Sequence, residues 1–269
     1  MNPAPIGVFD SGLGGLSVLR EIRALLPQES LLYLADSKYA PYGEKPESFV
    51  EARTLQACEW LLAQGCKALV IACNTATGHA VELLRQTLPV PIIGVEPGLK
   101  PAAAASRSKV VGVLATANTL KSAKFARLLA SLDGESQFIC EAGLGLVPLI
   151  EQGDIDGPDI RGRLNNYLTP MLEAGADTLV LGCTHYPFLS DTIRGMVGDQ
   201  LALVDTGSAI ARQLARKLTE HALASAPDAM PLDRFASTKD AAHLRQMAAA
   251  LLHIEAQAET VTIEPAPAF

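Results

Sequence analysis

Two short stretches carry side chains suited to acid–base or nucleophilic work: Cys73-Asn74-Thr75-Ala76-Thr77 and Cys183-Thr184-His185-Tyr186-Pro187. Each thiol stands just past an apolar run, Ala68 to Ala72 or Thr178 to Leu181, that reads as a buried parallel strand. Open α/β sheets bind ligands in the crevice outside the carboxyl ends of such strands. A thiol has an unperturbed pKa of about 8.5, and a helix N-terminus favours its thiolate, so modest tuning suffices at neutral pH. One cysteine so placed suggests a nucleophile, and His185, two residues beyond Cys183, keeps a Cys–His hydrolase in view. A matched pair suggests two acid–base groups on opposite faces of one carbon, which is what inversion of a stereocentre by proton transfer requires.

Further motifs lie at other strand ends. The loop Asp10-Ser11-Gly12-Leu13-Gly14-Gly15-Leu16-Ser17 nearly matches a dinucleotide-binding turn, and Asp36 ends the next strand where a ribose-binding acid would stand. That pattern admits an NAD-dependent oxidoreductase. Asp10, however, sets a negative charge beside the place of a pyrophosphate, and suits a substrate ammonium better. The turn from Asp36 to Pro46 holds Tyr39, Tyr42, Gly43 and two prolines, an ordered loop that could seat a carboxylate. Glu151 closes the apolar segment Leu146-Val147-Pro148-Leu149-Ile150. Cys58, Cys66 and Cys140 read as small buried hydrophobes. Neither cysteine motif holds a lysine to anchor pyridoxal phosphate.

Positioning these groups falls to a regular alternation of elements. Strands are expected at 5–9, 31–35, 68–72, 91–95, 110–114, 136–140, 178–181, 201–204, 234–237 and 259–263. Helices are expected at 16–26, 47–64, 78–88, 120–132, 158–174, 208–223 and 239–251. Such alternation predicts parallel sheets with helices on both faces. The cysteines occupy similar points in two successive series, so the fold class is α/β, with two pseudo-symmetric domains, each a mostly parallel sheet flanked by helices.

The whole chain narrows the classes further. Its 269 residues allow two domains, and 49% hydrophobic with 19% charged residues is a globular composition. The five cysteines form an odd set without a C-x-x-C pair, which argues against a disulfide framework and against structural zinc. A net charge of −7 points away from nucleic acid and anionic membranes. No apolar run approaches the roughly 18 residues of a spanning helix, and the first residues lack signal-peptide character, so a cytoplasmic location is expected.

The chain resembles the bacterial glutamate racemases of the aspartate/glutamate racemase superfamily. The segments that carry the resemblance are GVFDSGLGGLSVLREI (7–22), YLADSKYAPYGEK (33–45), ACNTATGHAV (72–81), IIGVEPGLKPA (92–102), GVLAT (112–116), LVPLIEQG (146–153), LGCTHYPFL (181–189) and VDTGSAIA (204–211). The resemblance implies cofactor-independent interconversion of L- and D-glutamate, the latter for peptidoglycan, with neither metal nor organic cofactor. It implies a first domain of residues 1–96 plus 208–269, a second of 97–207, and an active site in the interdomain cleft. Cys73 and Cys183 match the catalytic thiols, with Cys73 acting on D-glutamate and Cys183 on L-glutamate. Asp10, Ser11, Tyr42, Gly43, Asn74, Thr75, Thr184 and His185 match substrate contacts. Asp10, Glu151 and His185 match groups that assist proton transfer. A homodimer is the implied assembly, and a binding role toward DNA gyrase is a third class known in kind among such enzymes. The chain departs from the family pattern at Asn118, where glycine is frequent, and along 140–145. Racemisation of aspartate or a related acidic amino acid is the neighbouring alternative.

Overall fold

The apolar runs that precede the two thiols form interior strands of two parallel sheets in the computed structural model, which describes residues 2–255 and 257–263. Residues 1, 256 and 264–269, part of the expected first-domain range, lie outside the described residues. In chain order the first elements are β1 (Ile6–Asp10), α1 (Leu16–Leu25), β2 (Leu31–Ala35), α2 (Glu47–Ala63), β3 (Ala68–Ile71), α3 (Asn74–Thr87) and β4 (Ile92–Gly94). Next come α4 (Leu99–Ala105), β5 (Val110–Ala115), α5 (Ala117–Lys121), α6 (Ala123–Ala130), β6 (Gln137–Ala142), α7 (Leu146–Glu151) and α8 (Pro158–Glu173). The chain continues with β7 (Thr178–Gly182), α9 (Ser190–Val197), β8 (Ala202–Val204), α10 (Gly207–Glu220), β9 (Arg234–Ser237), α11 (Ala241–Leu252) and β10 (Ala258–Thr260).

These elements fall into two compact units, Met1–Val95 with Gly207–Phe269, and Glu96–Thr206. The first contains a six-stranded parallel sheet of order β10-β9-β2-β1-β3-β4. Helices α2 and α3 pack together on one face, and α1 packs with α10 and α11 on the other. With both faces covered, β1, β2 and β3 are buried at every position, which is why they read as unbroken apolar runs. Phe9, Leu34, Leu69 and Ile71 meet Leu61, Ala80 and Leu84 in the core beneath α2 and α3.

The second unit repeats the topology with four parallel strands, β6-β5-β7-β8. In each unit the opening strand stands between its second and third, so the strand order reverses beside it. That reversal opens a crevice at the carboxyl ends of β1 and β3 in the first unit and of β5 and β7 in the second. Cys73 follows β3 and Cys183 follows β7, the same station in both units.

Several elements depart from the sequence expectation for local reasons. Helix α3 begins at Asn74 rather than near Gly78, because the Cys73 sulfur itself caps it by accepting from the Ala76 amide. The stretch 120–132 breaks at Ser122, whose extended backbone ends α5 and whose hydroxyl caps α6 through the Phe125 amide. Helices α4 and α7 escape the pattern because they are short and carry Pro101 and Pro148 in their first turns, where a missing N–H costs nothing. The last strand is Ala258–Thr260 rather than 259–263. Cys140, expected to be buried, is exposed because β6 is the edge strand of its sheet.

Candidate active site

In the first unit the cluster is built on the reversal between β1 and β3. Asp10 ends β1, is fully buried, and accepts the Gly12 amide on Oδ2 at 2.9 Å, which folds the glycine loop back over the strand end. The Tyr33 hydroxyl donates to the Gly12 carbonyl at 2.7 Å and holds the loop from β2. Gly15 must lack a side chain there, since a Cβ would stand 2.7 Å from Asp10 Cβ and 3.0 Å from Ala72 Cβ. The loop therefore delivers Ser11 to the thiol, with Ser11 Oγ 3.5 Å from Cys73 Sγ.

Cys73 is 5% exposed and N-caps the fourteen-residue α3, receiving the Ala76 N–H at 3.5 Å. Free amides at a helix start carry partial positive charge, which favours a thiolate at this position. Thr77 fixes the helix start: its hydroxyl donates to the Ile71 carbonyl and accepts the Val95 amide, both at 3.1 Å. Asn74 and Thr75, in the first turn, are buried beside the thiol. Tyr42 and Gly43 lie in a short 3-10 turn, Tyr42–Glu44, preceded by a cis Ala40–Pro41 bond. Burial first, then the neighbouring Asp36 carboxylate, pushes the Tyr42 hydroxyl well above its ordinary range, and the Cys73 sulfur acts in the same direction.

In the second unit Cys183 has different company. It is 6% exposed and is followed by a 3-10 turn, Tyr186–Leu189, instead of a long helix. Its sulfur lies 3.7 Å from His185 Nδ1, and His185 Nε2 lies 2.6 Å from Glu151 Oε1. Glu151 arrives on α7, which starts at Gly145 with φ +77°, a left-handed conformation glycine adopts without strain. Burial opposes charge on His185, but its hydrogen bonds to Cys183 and Glu151 outweigh that and hold the imidazole pKa well above its ordinary value. The ring lies between a sulfur and a carboxylate. The Tyr186 hydroxyl donates to the Gly143 carbonyl at 3.2 Å, and Thr184 is buried next to the thiol.

The structure thus gathers Asp10, Ser11, Tyr42, Gly43, Cys73, Asn74 and Thr75 in one unit, and Glu151, Cys183, Thr184 and His185 in the other. Glu151 and His185, 34 residues apart, are in direct contact. The remaining thiols differ in kind: burial raises the Cys66 pKa to about 12, and Cys58 also rises. Such thiols are inert near neutral pH. Asp36 is not free for a ribose, because Arg53 binds both its oxygens, at 2.9 and 2.8 Å, and the Tyr42 hydroxyl donates to it at 2.6 Å. Sequence reasoning missed Arg53. The signal was present as a single charge on the apolar stripe Val50, Ala57, Cys58 and Leu61 of α2. Among the described residues no three His, Cys, Asp or Glu side chains gather as metal ligands would, and no helix is long and apolar enough to cross a membrane.

Comparison with known proteins extends these findings along the chain. The Asp/Glu/Hydantoin racemase family model matches residues 6–214. A glutamate racemase of Cupriavidus pinatubonensis is 93% identical over 269 residues, covering 100% of this chain and 99% of its own length. Among solved structures, the glutamate racemase isoform RacE1 of Bacillus anthracis superposes with a TM-score of 0.88 at 30% identity, covering 97% of this chain and 98% of the other. Escherichia coli glutamate racemase, in complex with L-glutamate and the activator UDP-MurNAc-ala, gives 0.83 at 34% identity over 97% and 100% of the two chains. With two parallel α/β units, a thiol at the same strand end of each, and a family match spanning both, the chain belongs to the Asp/Glu/Hydantoin racemase family.

Proposed function

We propose that the protein interconverts L- and D-glutamate without a cofactor, supplying D-glutamate for peptidoglycan, with Cys73 and Cys183 as the two acid–base groups. The observation that carries this reading is the equivalent placement of the two thiols in topologically matched units, together with the 93% identity to a glutamate racemase. One cysteine, as thiolate, takes the α-proton and becomes a thiol. The other, as thiol, delivers its own proton to the opposite face of the carbanion and becomes a thiolate. Each turnover exchanges the two states, and the reverse reaction restores them. Cys73 serves D-glutamate and Cys183 serves L-glutamate.

The neighbours have separate tasks. Backbone and side-chain donors of Ser11, Asn74, Thr75, Thr184, Tyr42 and Gly43 hold the carboxylates, and Asp10 faces the ammonium group. Oriented donors in a cleft that excludes water also stabilise charge developing at the α-carbon, where ordered dipoles act more strongly than solvent. His185, whose imidazole pKa is raised by its contacts with Cys183 and Glu151, stands where it can hold a proton beside the Cys183 sulfur. Asp10, Ser11, Tyr42, Gly43, Asn74 and Thr75 belong to the unit Met1–Val95 with Gly207–Phe269, and Thr184 and His185 to Glu96–Thr206, each boundary one residue from the sequence expectation. A homodimer in the cytoplasm completes the reading, and light scattering of the purified protein tests the dimer.

Racemisation in D₂O is the direct test. Either enantiomer of glutamate gives product carrying solvent deuterium at Cα. Product formed without solvent isotope overturns the two-base mechanism. The family model also spans aspartate racemases, and one methylene is worth only about 1–3 kcal/mol of discrimination. Comparison of kcat/KM for the two acids settles the substrate, and a preference for aspartate overturns the glutamate assignment.

A further inference from the structure

Arg53 is the largest fully buried side chain among the described residues, a cation 1% exposed on the apolar face of α2. A buried guanidinium is held only by partners that satisfy its fork of donors. Nε and Nη2 clasp the two oxygens of Asp36, and Nη1 donates to Gln56 Oε1 and to the carbonyl of Ile263, both at 3.3 Å. The guanidinium also lies over the Tyr39 ring, 4.7 Å from its centroid. Asp36 in turn accepts the Tyr42 hydroxyl. One side chain therefore fastens the end of β2, both tyrosines of the turn after it, and the segment that follows β10. Ile263 itself is buried in the same core as Tyr42 and Val50.

Resting on the reading that Tyr42 and Gly43 face the substrate, we propose that Arg53 is a positioning residue for glutamate binding. It sets the turn 39–43 through Asp36 and Tyr42, and ties that turn to the C-terminal segment at Ile263. Asp36 alone cannot do this, since an unpaired carboxylate at 0% exposure takes up a proton or draws in water. Lysine cannot replace the arginine, because an ammonium is a point charge without the planar fork that spans both carboxylate oxygens and a third acceptor.

The test uses the full-length enzyme with Arg53→Lys, and with the charge-balanced double variant Asp36→Asn/Arg53→Gln in case the single change unfolds. KM for glutamate rises about tenfold while kcat stays within about threefold, the split expected when a binding group is misplaced and the chemistry is not. Hydrogen exchange at the amides of 39–45 accelerates, whereas that of β1 and β3 is unchanged. A KM within about twofold of wild type, with unaltered exchange at 39–45, overturns the proposal. Loss of protection throughout the first sheet in both variants overturns it as well, because Arg53 then serves only the fold. Should the wild type fail to racemise glutamate, the functional reading falls, and exchange at 39–45 still decides whether Arg53 holds the turn.

Discussion

Cys73 and Cys183 occupy the same station in two sheets of the same strand order, yet their surroundings share almost nothing. Cys73 caps a fourteen-residue helix and touches the Ser11 hydroxyl. Cys183 precedes a short 3-10 turn and leans on the His185 imidazole, which is backed by the Glu151 carboxylate. Topology dictates where a reactive group can stand, and the side chains of the next loop dictate how its charge is managed. The two thiols are therefore topological equivalents with different neighbours, a helix start at one and a histidine–glutamate contact at the other.

The largest expected effect treats them alike. Cys73→Ser and Cys183→Ser each lower kcat/KM by about 10³-fold or more, because a hydroxyl is far too weak an acid to replace either thiol. Near-normal turnover in both variants breaks the comparison at its root. His185→Asn separates the two thiols. It lowers kcat/KM by about 10²-fold in both directions, as it must when the equilibrium constant between enantiomers is unity by symmetry. The alkylation rate of Cys183 falls relative to that of Cys73, read by peptide mass spectrometry at neutral pH. A parallel fall at both thiols removes the claim that they are tuned separately.

Two smaller effects refine the same contrast. Glu151→Gln keeps the contact to His185 but removes the negative charge that supports its proton, and lowers kcat by about tenfold. The pKa of His185 is raised in the folded state, so its protonation contributes stability fully below about pH 6.5 and loses it as pH rises through the folded value. In Glu151→Gln the contribution is smaller and its loss is complete at lower pH, visible in the unfolding midpoint as a function of pH. Asp177 is the control, just before β7 at the end of the strand away from Cys183. Burial raises its pKa, but hydrogen bonds from Ser106, Arg107, Ser108 and Thr178 outweigh that and leave it well below the ordinary carboxylate range. Asp177→Ala costs about 1–2 kcal/mol of stability at neutral pH and leaves kcat unchanged. Its folded pKa is depressed, so the gap to wild type holds above about pH 4 and closes as pH falls toward the folded value.

The strand-end positions of both thiols were legible because central parallel strands are covered on both faces and read as apolar runs with abrupt ends. The start of α3 was not, since Asn74 and Thr75 have the composition of a loop while their backbone is helical. The contact between Glu151 and His185 left no trace in the sequence. It depends on where a six-residue helix lands, and a lone glutamate after an apolar segment is most often solvated. Cys140 shows the reverse failure, because nothing in a strand's composition says whether it will stand at the edge of its sheet. Arg53 stood in plain view as a charge on an apolar stripe, and only its partners revealed a purpose.

The first unit takes its strands from both sides of the second along the chain. On the ribosome, β9 is translated after residues 96–206, so β2 waits through that interval with one edge bare. Leu32, Tyr33, Leu34 and Ala35, the residues that β9 later pairs, then present an apolar template to any other nascent strand. Chains arrested after residue 206 and before β9 carry a completed second unit and a first one with that edge open.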